Sequence, residues 1–291
     1  MRRTAKYTIY NPESHMTLPV IFFIHGTPGS SSHADIYCSD FIEKGHTIVA
    51  WGRPGYGTTV DSRDMTFAEQ AAEAIRLLDD LGAMHDIILY GVGSGAGIAL
   101  EVCCAALDRF SGVILESPIF STYRHTELNS YQRFLDYVIF SKVGHVVFEG
   151  ICKISPLTAS ILLLYRYSTL NRRQILAEAR AACSHGLTIR RLKMLLASTR
   201  EVIGGSKGYS NDLVELTIDR SDLISYLPDR VLVLHGDSDI ESSLMESDKI
   251  MATKTSATRV VISGGSHMLP ISSRLVYVGF KKTEFVGNGM T

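Results

Sequence analysis

Apolar residues along this chain fall into short continuous runs, set between stretches with helical spacing. The runs at 6–10 and 18–24 read as strands, the second of fully buried type. A helix is expected over 33–44, stopped by Gly45. Residues 47–51 form the next strand. Thr66 caps a helix that reaches about Leu81, with Glu69 three residues on as capping-box partner and Gly82 as the stop. A strand over 86–92 leads into an Ala- and Gly-rich helix over 94–107, and 112–116 is again a strand. Strands without polar alternation belong in a parallel sheet covered on both faces.

The alternation breaks at Ser117-Pro118. From about 121 to 227 the pattern is mostly helical, with fourteen Lys+Arg against nine Asp+Glu. Alternation then resumes with a strand at 230–235, a helix at 243–253, a strand at 259–262 and a final helix from His267 onward. The pattern predicts an α/β fold: a mostly parallel central sheet with helices on both faces, formed by 1–120 and 228–291. A helical cap, 121–227, interrupts it. No internal repeat or low-complexity segment is visible.

Composition narrows the class. In 291 residues, 45% are apolar and 20% charged, enough for a sizeable core and against disorder. A formal net charge of -1 gives no global electrostatic case for nucleic acid. Five cysteines without CxxC or zinc spacing read as reduced thiols of a cytoplasmic protein. The opening Met1-Arg2-Arg3-Thr4 lacks the apolar core of a signal peptide. The longest apolar region, 134–165, is broken by Asp136, Lys142, His145, Glu149, Lys153 and Pro156, so no transmembrane span is expected, although a surface-embedded amphipathic helix stays open.

Four motifs follow predicted strands in order. They are His25-Gly26-Thr27-Pro28-Gly29, Arg53-Pro54-Gly55-Tyr56-Gly57, Gly91-Val92-Gly93-Ser94-Gly95, and the pair His235-Gly236-Asp237-Ser238-Asp239 with Gly264-Gly265-Ser266-His267. With them the chain resembles the α/β-hydrolase fold superfamily, in particular its cap-bearing HGxPG members, over roughly 18–120 and 228–285. The second motif resembles that family's D-R-P-G-Y-G loop, with Gly52 in place of the acid. The third resembles the nucleophile elbow Gly-x-Ser-x-Gly, but alignment on Gly91 and Gly95 puts Gly93 at the serine position.

Small residues two before and two after the apex let a strand turn sharply into a helix. Gly91 and Gly95 meet that need for Gly93. With Ser94 as nucleophile, the flanking residues would be Val92 and Ala96, and a β-branched valine suits such crowding poorly. Gly93 is therefore the preferred apex and Ser94 the alternative nucleophile. Glycine at the apex relieves backbone strain and deletes the hydroxyl, by natural loss or by engineering.

The resemblance implies His267 as the general base and Asp239 as the acid that orients it, with Asp237 and Glu116 as alternative acids. It implies an oxyanion hole from the backbone amides of Thr27 and Ser94. His25 reads as a packed structural histidine. The glycines at 91–97 lack the third glycine of a dinucleotide loop and the lysine of a P-loop, so no cofactor is expected. No residues show metal spacing; His33, Asp35 and His46 read as scattered surface residues.

The cap's apolar residues Phe134, Tyr137, Val138, Phe140, Val147, Phe148, Leu162, Leu163 and Leu164 would pack on the core or roof a pocket, which points to a hydrophobic small-molecule substrate. Arg172, Arg173, Arg190, Arg191 and Lys193 read as a solvated face. The expected function is an α/β-hydrolase-type enzyme on an ester, lactone or thioester, with the serine replaced by Gly93. Epoxide hydrolase and dehalogenase chemistry would need aspartate at 93. Two alternatives stand beside it: a non-hydrolytic His-Asp enzyme (lyase, isomerase, cyclase or cofactor-free oxygenase), and a catalytically inactive ligand-binding protein. The pattern leaves the oligomeric state open.

Overall fold

The computed structural model describes residues 1–3, 6–13, 18–56, 64–82, 86–121, 128–184, 186–199 and 207–287. Gly57 of the second motif and the side chain of Phe140 lie outside the described residues. The strands are β1 (Arg2–Arg3), β2 (Tyr7–Tyr10), β3 (Val20–Ile24), β4 (Ile48–Trp51), β5 (Ile87–Val92), β6 (Phe110–Glu116), β7 (Val231–Gly236) and β8 (Thr258–Ile262). They form one sheet in the order β1-β2-β4-β3-β5-β6-β7-β8. The first two strands join it antiparallel, and from β4 to β8 every pairing is parallel.

Alternate residues of the buried strands feed two cores, one on each face. Phe22 and Ile24 point into one with Trp51 and Leu89, while Ile21 and Phe23 point into the other with Ile48, Ile88 and Tyr90. The first face is covered by α3 (Phe67–Asp80) and α4 (Gly95–Ala106). The capping box of α3 forms as its sequence predicts: Glu69 N donates to Thr66 Oγ1 at 3.2 Å, and Thr66 N donates to Glu69 Oε2 at 2.8 Å.

Two predicted helices differ. The one expected over 33–44 is a 3-10 turn at Ser31–His33, then α1 (Ala34–Tyr37) and α2 (Ser39–Glu43). Cys38 leaves helical geometry at φ -106°, and the Phe41 and Ile42 amides both donate to its carbonyl, which restarts the helix. His267 does not open the final helix. Pro270 sits in a 3-10 turn, Leu269–Ile271, and helix resumes at α12 (Leu275–Gly287), so His267 is left on a loop.

Among the described residues between β6 and β7 lie the α-helices α5 (Ser130–Phe140), α6 (Lys142–Ile154), α7 (Pro156–Tyr167), α8 (Arg172–Cys183), α9 (Gly186–Thr199) and α10 (Lys207–Glu215). A further helix, α11 (Leu244–Thr253), bridges β7 and β8. The outward and inward faces of α5 and α6 are partly the reverse of the sequence expectation. Phe148 is buried, but Phe134, Tyr137 and Val147 are more than half exposed. Arg191 is not solvated either; it is buried, and its guanidinium donates to Ser39 Oγ, Asp40 Oδ2 and the Pro270 carbonyl.

Helix α10 is pinned to the sheet domain. Arg53 and Asp212 form an ion pair with both side chains fully buried, at 2.6 Å to each carboxylate oxygen. Beside it, Gly208 N donates to the Gly55 carbonyl at 3.1 Å. Neither glycine has room for a side chain there: a Cβ on Gly55 would lie 2.6 Å from Gly208 N, and one on Gly208 would lie 2.5 Å from the Tyr56 ring. Asn211 and Glu215 complete the dock by bonding Met65 and the Phe67 amide. Removing one partner of a buried ion pair strands the other charge in low dielectric. Asp212→Ala should therefore lower unfolding free energy by about 3–5 kcal/mol, against about 1 kcal/mol for the capping change Thr66→Ala. Urea titration of the two variants checks the ranking.

Candidate active site

The chain turns from β5 into α4 at Gly93, which has φ +53°, the left-handed region that glycine enters cheaply. The neighbouring glycines are there for space. A Cβ on Gly91 would sit 2.8 Å from the Gly95 carbonyl oxygen, and one on Gly95 would sit 2.5 Å from the Ile24 carbonyl oxygen. At Gly93 a Cβ would meet only ordinary contacts, the nearest being His267 Nε2 at 3.5 Å. The steric demands thus centre the turn on Gly93, and its missing side chain would face the imidazole. Ser94 has helical backbone angles and is buried, and its hydroxyl donates to Thr27 Oγ1 at 2.8 Å.

His267 Nδ1 donates to Asp239 Oδ2 at 2.9 Å. The second carboxylate oxygen of Asp239 accepts the amides of Glu241 at 2.8 Å and Ser242 at 2.9 Å, which fixes the acid. Burial works against protonation of His267. The Asp239 charge and its hydrogen bond outweigh it, with Glu241 adding and Arg166 opposing, so the imidazole is held above its ordinary value. Its ring stacks on Tyr167 at 6.3 Å between centroids. Among the described residues, Nε2 makes no protein hydrogen bond and stands toward the space that Gly93 leaves.

The other two acids are employed elsewhere. Asp237 is exposed and accepts from Gly264 N at 2.7 Å and Ser238 Oγ at 3.1 Å, bracing one loop against another. Glu116 is fully buried at the end of β6 and accepts from Tyr90 Oη and, at 3.4 Å, from Lys282 Nζ.

Thr27 lies on the loop after β3. Neither its backbone N–H nor that of Ser94 is spent on a backbone hydrogen bond among the described residues. Its hydroxyl donates to Asp212 Oδ2, to which Tyr56 Oη also donates at 2.7 Å. His25 is fully buried and donates Nδ1–H to the Gly26 carbonyl at 2.8 Å, and burial pushes its pKa well down. It packs edge-on to Tyr56, in the structural role expected of it.

An apolar cavity of about 70 Å³ joins Gly26, Thr27, Gly93 and His267. Ile139, Phe148, Leu163, Tyr167 and Leu195 close it from the inserted helices. His33 and His145 also line it, which the sequence reading missed. His33 and His46 are buried, not surface residues; Asp35 is half-buried. No group of three metal-binding side chains occurs among the described residues. No described helix is long and apolar enough to cross a membrane.

The chain is 33% identical over 116 residues to the bifunctional esterase/perhydrolase of Acinetobacter calcoaceticus. That match takes in 38% of this chain and 41% of the relative, so it spans about two fifths of the relative's length. An alpha/beta hydrolase fold protein from Nakamurella multipartita superposes with a TM-score of 0.82 at 18% identity, over 96% of this chain and 94% of that one. A thermophilic esterase from Thermogutta terrifontis gives 0.66 at 18% identity, over 98% and 93%. The enol-lactonase of Burkholderia xenovorans gives 0.66 at 16%, over 97% and 95%. At these identities the likenesses establish a shared fold. The model of the Alpha/beta hydrolase family matches residues 21–278, nearly the whole chain, and with this sheet order and turn the protein belongs to that family.

Proposed function

We propose that this is an acyl-ester site of α/β-hydrolase type on a hydrophobic small molecule, in which Gly93 stands at the nucleophile position. One observation carries the reading: a side chain at 93 would point at His267 Nε2, 3.5 Å from its Cβ, and that imidazole is hydrogen-bonded to Asp239. A serine there would hand its proton to His267, and the amides of Thr27 and Ser94 would hold the developing oxyanion. The esterase relative and the esterase and lactonase neighbours support the acyl class. Helices α5, α6, α7 and α9 supply the apolar roof and with α8 act as the cap, and α10 is its fixed root.

The intact His267–Asp239 pair favours a second reading. Without a nucleophile, a base beside two free amides can remove a proton from a bound substrate and stabilise the resulting oxyanion. That is the logic of a lyase, isomerase or cofactor-free oxygenase.

Two measurements test the assignment. Gly93→Ser should gain hydrolysis of p-nitrophenyl butyrate by at least a hundredfold over the unmodified chain, and adding Ser94→Ala should leave most of that gain. A serine that gives no gain refutes the acyl reading. The pH profile of the Gly93→Ser chain reads the base. A general base works deprotonated, so the rate should rise with pH through an inflection above His267's ordinary 6.5. Asp239→Asn removes the charge that holds this value up; the inflection should fall and kcat should drop by about 10⁴.

A further inference from the structure

Helices α5 and α6 are apolar on two faces. Ile139 and Phe148 point inward and close the cavity. On the outside, Phe134, Tyr137, Val143, Val146, Val147 and Ile154 are 54–87% exposed, and along each helix they recur at helical spacing. Single exposed apolar residues need no explanation, but a stripe of them marks an interaction surface. Charge is segregated in the same part of the molecule. Residues 130–199, which carry α5–α9, hold ten Lys+Arg against three Asp+Glu, a formal charge of +7; the rest of the chain holds nineteen against twenty-seven, or -8. The three acids are all engaged: Asp136 with Arg166, Glu149 with Lys153, and Glu178 with Ser273. Arg172, Arg173, Arg180, Arg190 and Lys193 are exposed, and among the described residues no acid pairs with them.

We propose that the outer face of the inserted helices docks on an anionic lipid bilayer, with α5 and α6 lying in the headgroup layer. The inference is independent of the chemistry assigned to the site. Helix α6 has 13 residues and is about 20 Å long, short of the roughly 30 Å hydrocarbon core, so it lies along the surface and does not cross. Its valines and Ile154 sink about 5–10 Å, to the boundary of the acyl chains. Phe134 and Tyr137 add aromatic rings, which favour that boundary, and Lys142 and Lys153 sit at the two ends of α6 within reach of headgroup phosphates. The cations of α8 and α9 extend the attraction over a Debye length of about 10 Å at 0.1 M salt. Charge decides among the possible occupants. A second copy would press two faces of +7 together. A nucleic acid would neutralise the cations and leave the valines in water. The cations are spread over α6, α8 and α9, which suits a fluid layer of headgroups better than a protein with fixed charges. Docked in this way, the roof of the cavity is wetted by lipid on its far side, since Ile139 and Phe148 share their helices with the outer stripe.

Flotation of the full-length protein with large unilamellar vesicles tests this, using phosphatidylcholine alone and phosphatidylcholine with one quarter phosphatidylglycerol, in 0.1 M NaCl. Partitioning into the anionic vesicles should be at least tenfold stronger than into the neutral ones. The double change Val143→Ser with Val147→Ser should weaken it at least tenfold, and Arg172→Gln with Arg173→Gln about tenfold. A fluorescence variant reads the same contact as a gain of signal. The chain's single tryptophan, Trp51, is buried, so the indole introduced by Val146→Trp reports the outer face, and its emission should shift to the blue on the anionic vesicles. Equal partitioning into both vesicles, or an indole that stays in water when the protein floats, would overturn the proposal. Loss with the arginine change but none with the valine change would also overturn it, in favour of a polyanion such as nucleic acid or an acidic protein. Dimers that the valine change dissociates, without vesicle binding, would assign the face to a second copy. Ester hydrolysis enters neither readout, so these results and those for Gly93→Ser stand or fall separately.

Discussion

The organisation of this site depends on how closely strand β5, strand β3 and helix α4 approach one another. Backbone meets backbone at Gly91 and Gly95, and neither position has space for a single carbon. That approach forces the chain through a turn whose apex takes φ +53°. It also leaves the apex projecting from the carboxyl end of the sheet, where the His267 loop and the Thr27 loop converge. Apex, imidazole and amides are near one another because three elements share one steric bottleneck. The bottleneck does not bar a side chain at residue 93 by contact, since its own Cβ has room, although the φ of +53° would hold that side chain in a strained backbone. The scaffold can therefore lose the hydroxyl without losing the turn.

A second layer fixes the loop that carries Thr27. Ser94 Oγ donates to Thr27 Oγ1, which donates to Asp212, which holds Arg53 and accepts from Tyr56. Arg53 Nη1 in turn donates to the His25 carbonyl, and Nε to Gln70. A buried guanidinium is tolerable only when its donors are satisfied. Here the satisfaction comes from three separate stretches of chain. The side chains of the two residues whose amides line the proposed oxyanion position are thus tied to a carboxylate on an inserted helix.

Much of this was legible in the sequence, for identifiable reasons. The sheet strands are continuous apolar runs, and their position between Gly-rich turns gives their order of appearance. The Thr66–Glu69 box and the Gly45 stop are local signals and form locally. Gly91, Gly93 and Gly95 could be sorted because only one spacing suits a tight strand-to-helix turn. Asp239 and His267 could be paired only through the resemblance, since 28 residues separate them. What escaped was decided by tertiary packing. Arg191 looks like its solvated neighbours until Asp40 and Pro270 are brought to it. Phe134 and Tyr137 look like core residues, yet their helix turns that stripe outward. Asp212 carries no local mark at all; its partner Arg53 lies 159 positions away.

The glycine contact beside that ion pair has a consequence for sequence divergence. Gly55 and Gly208 touch backbone to backbone, and a side chain on either would push α10 away. Displacing α10 would pull Asp212 from Arg53 and slacken the Thr27 loop. The two glycines therefore answer to one steric constraint. A side chain at either one would have to be accommodated by moving the far end of the inserted helices, so a change at one glycine reaches the loop that carries Thr27 through Asp212.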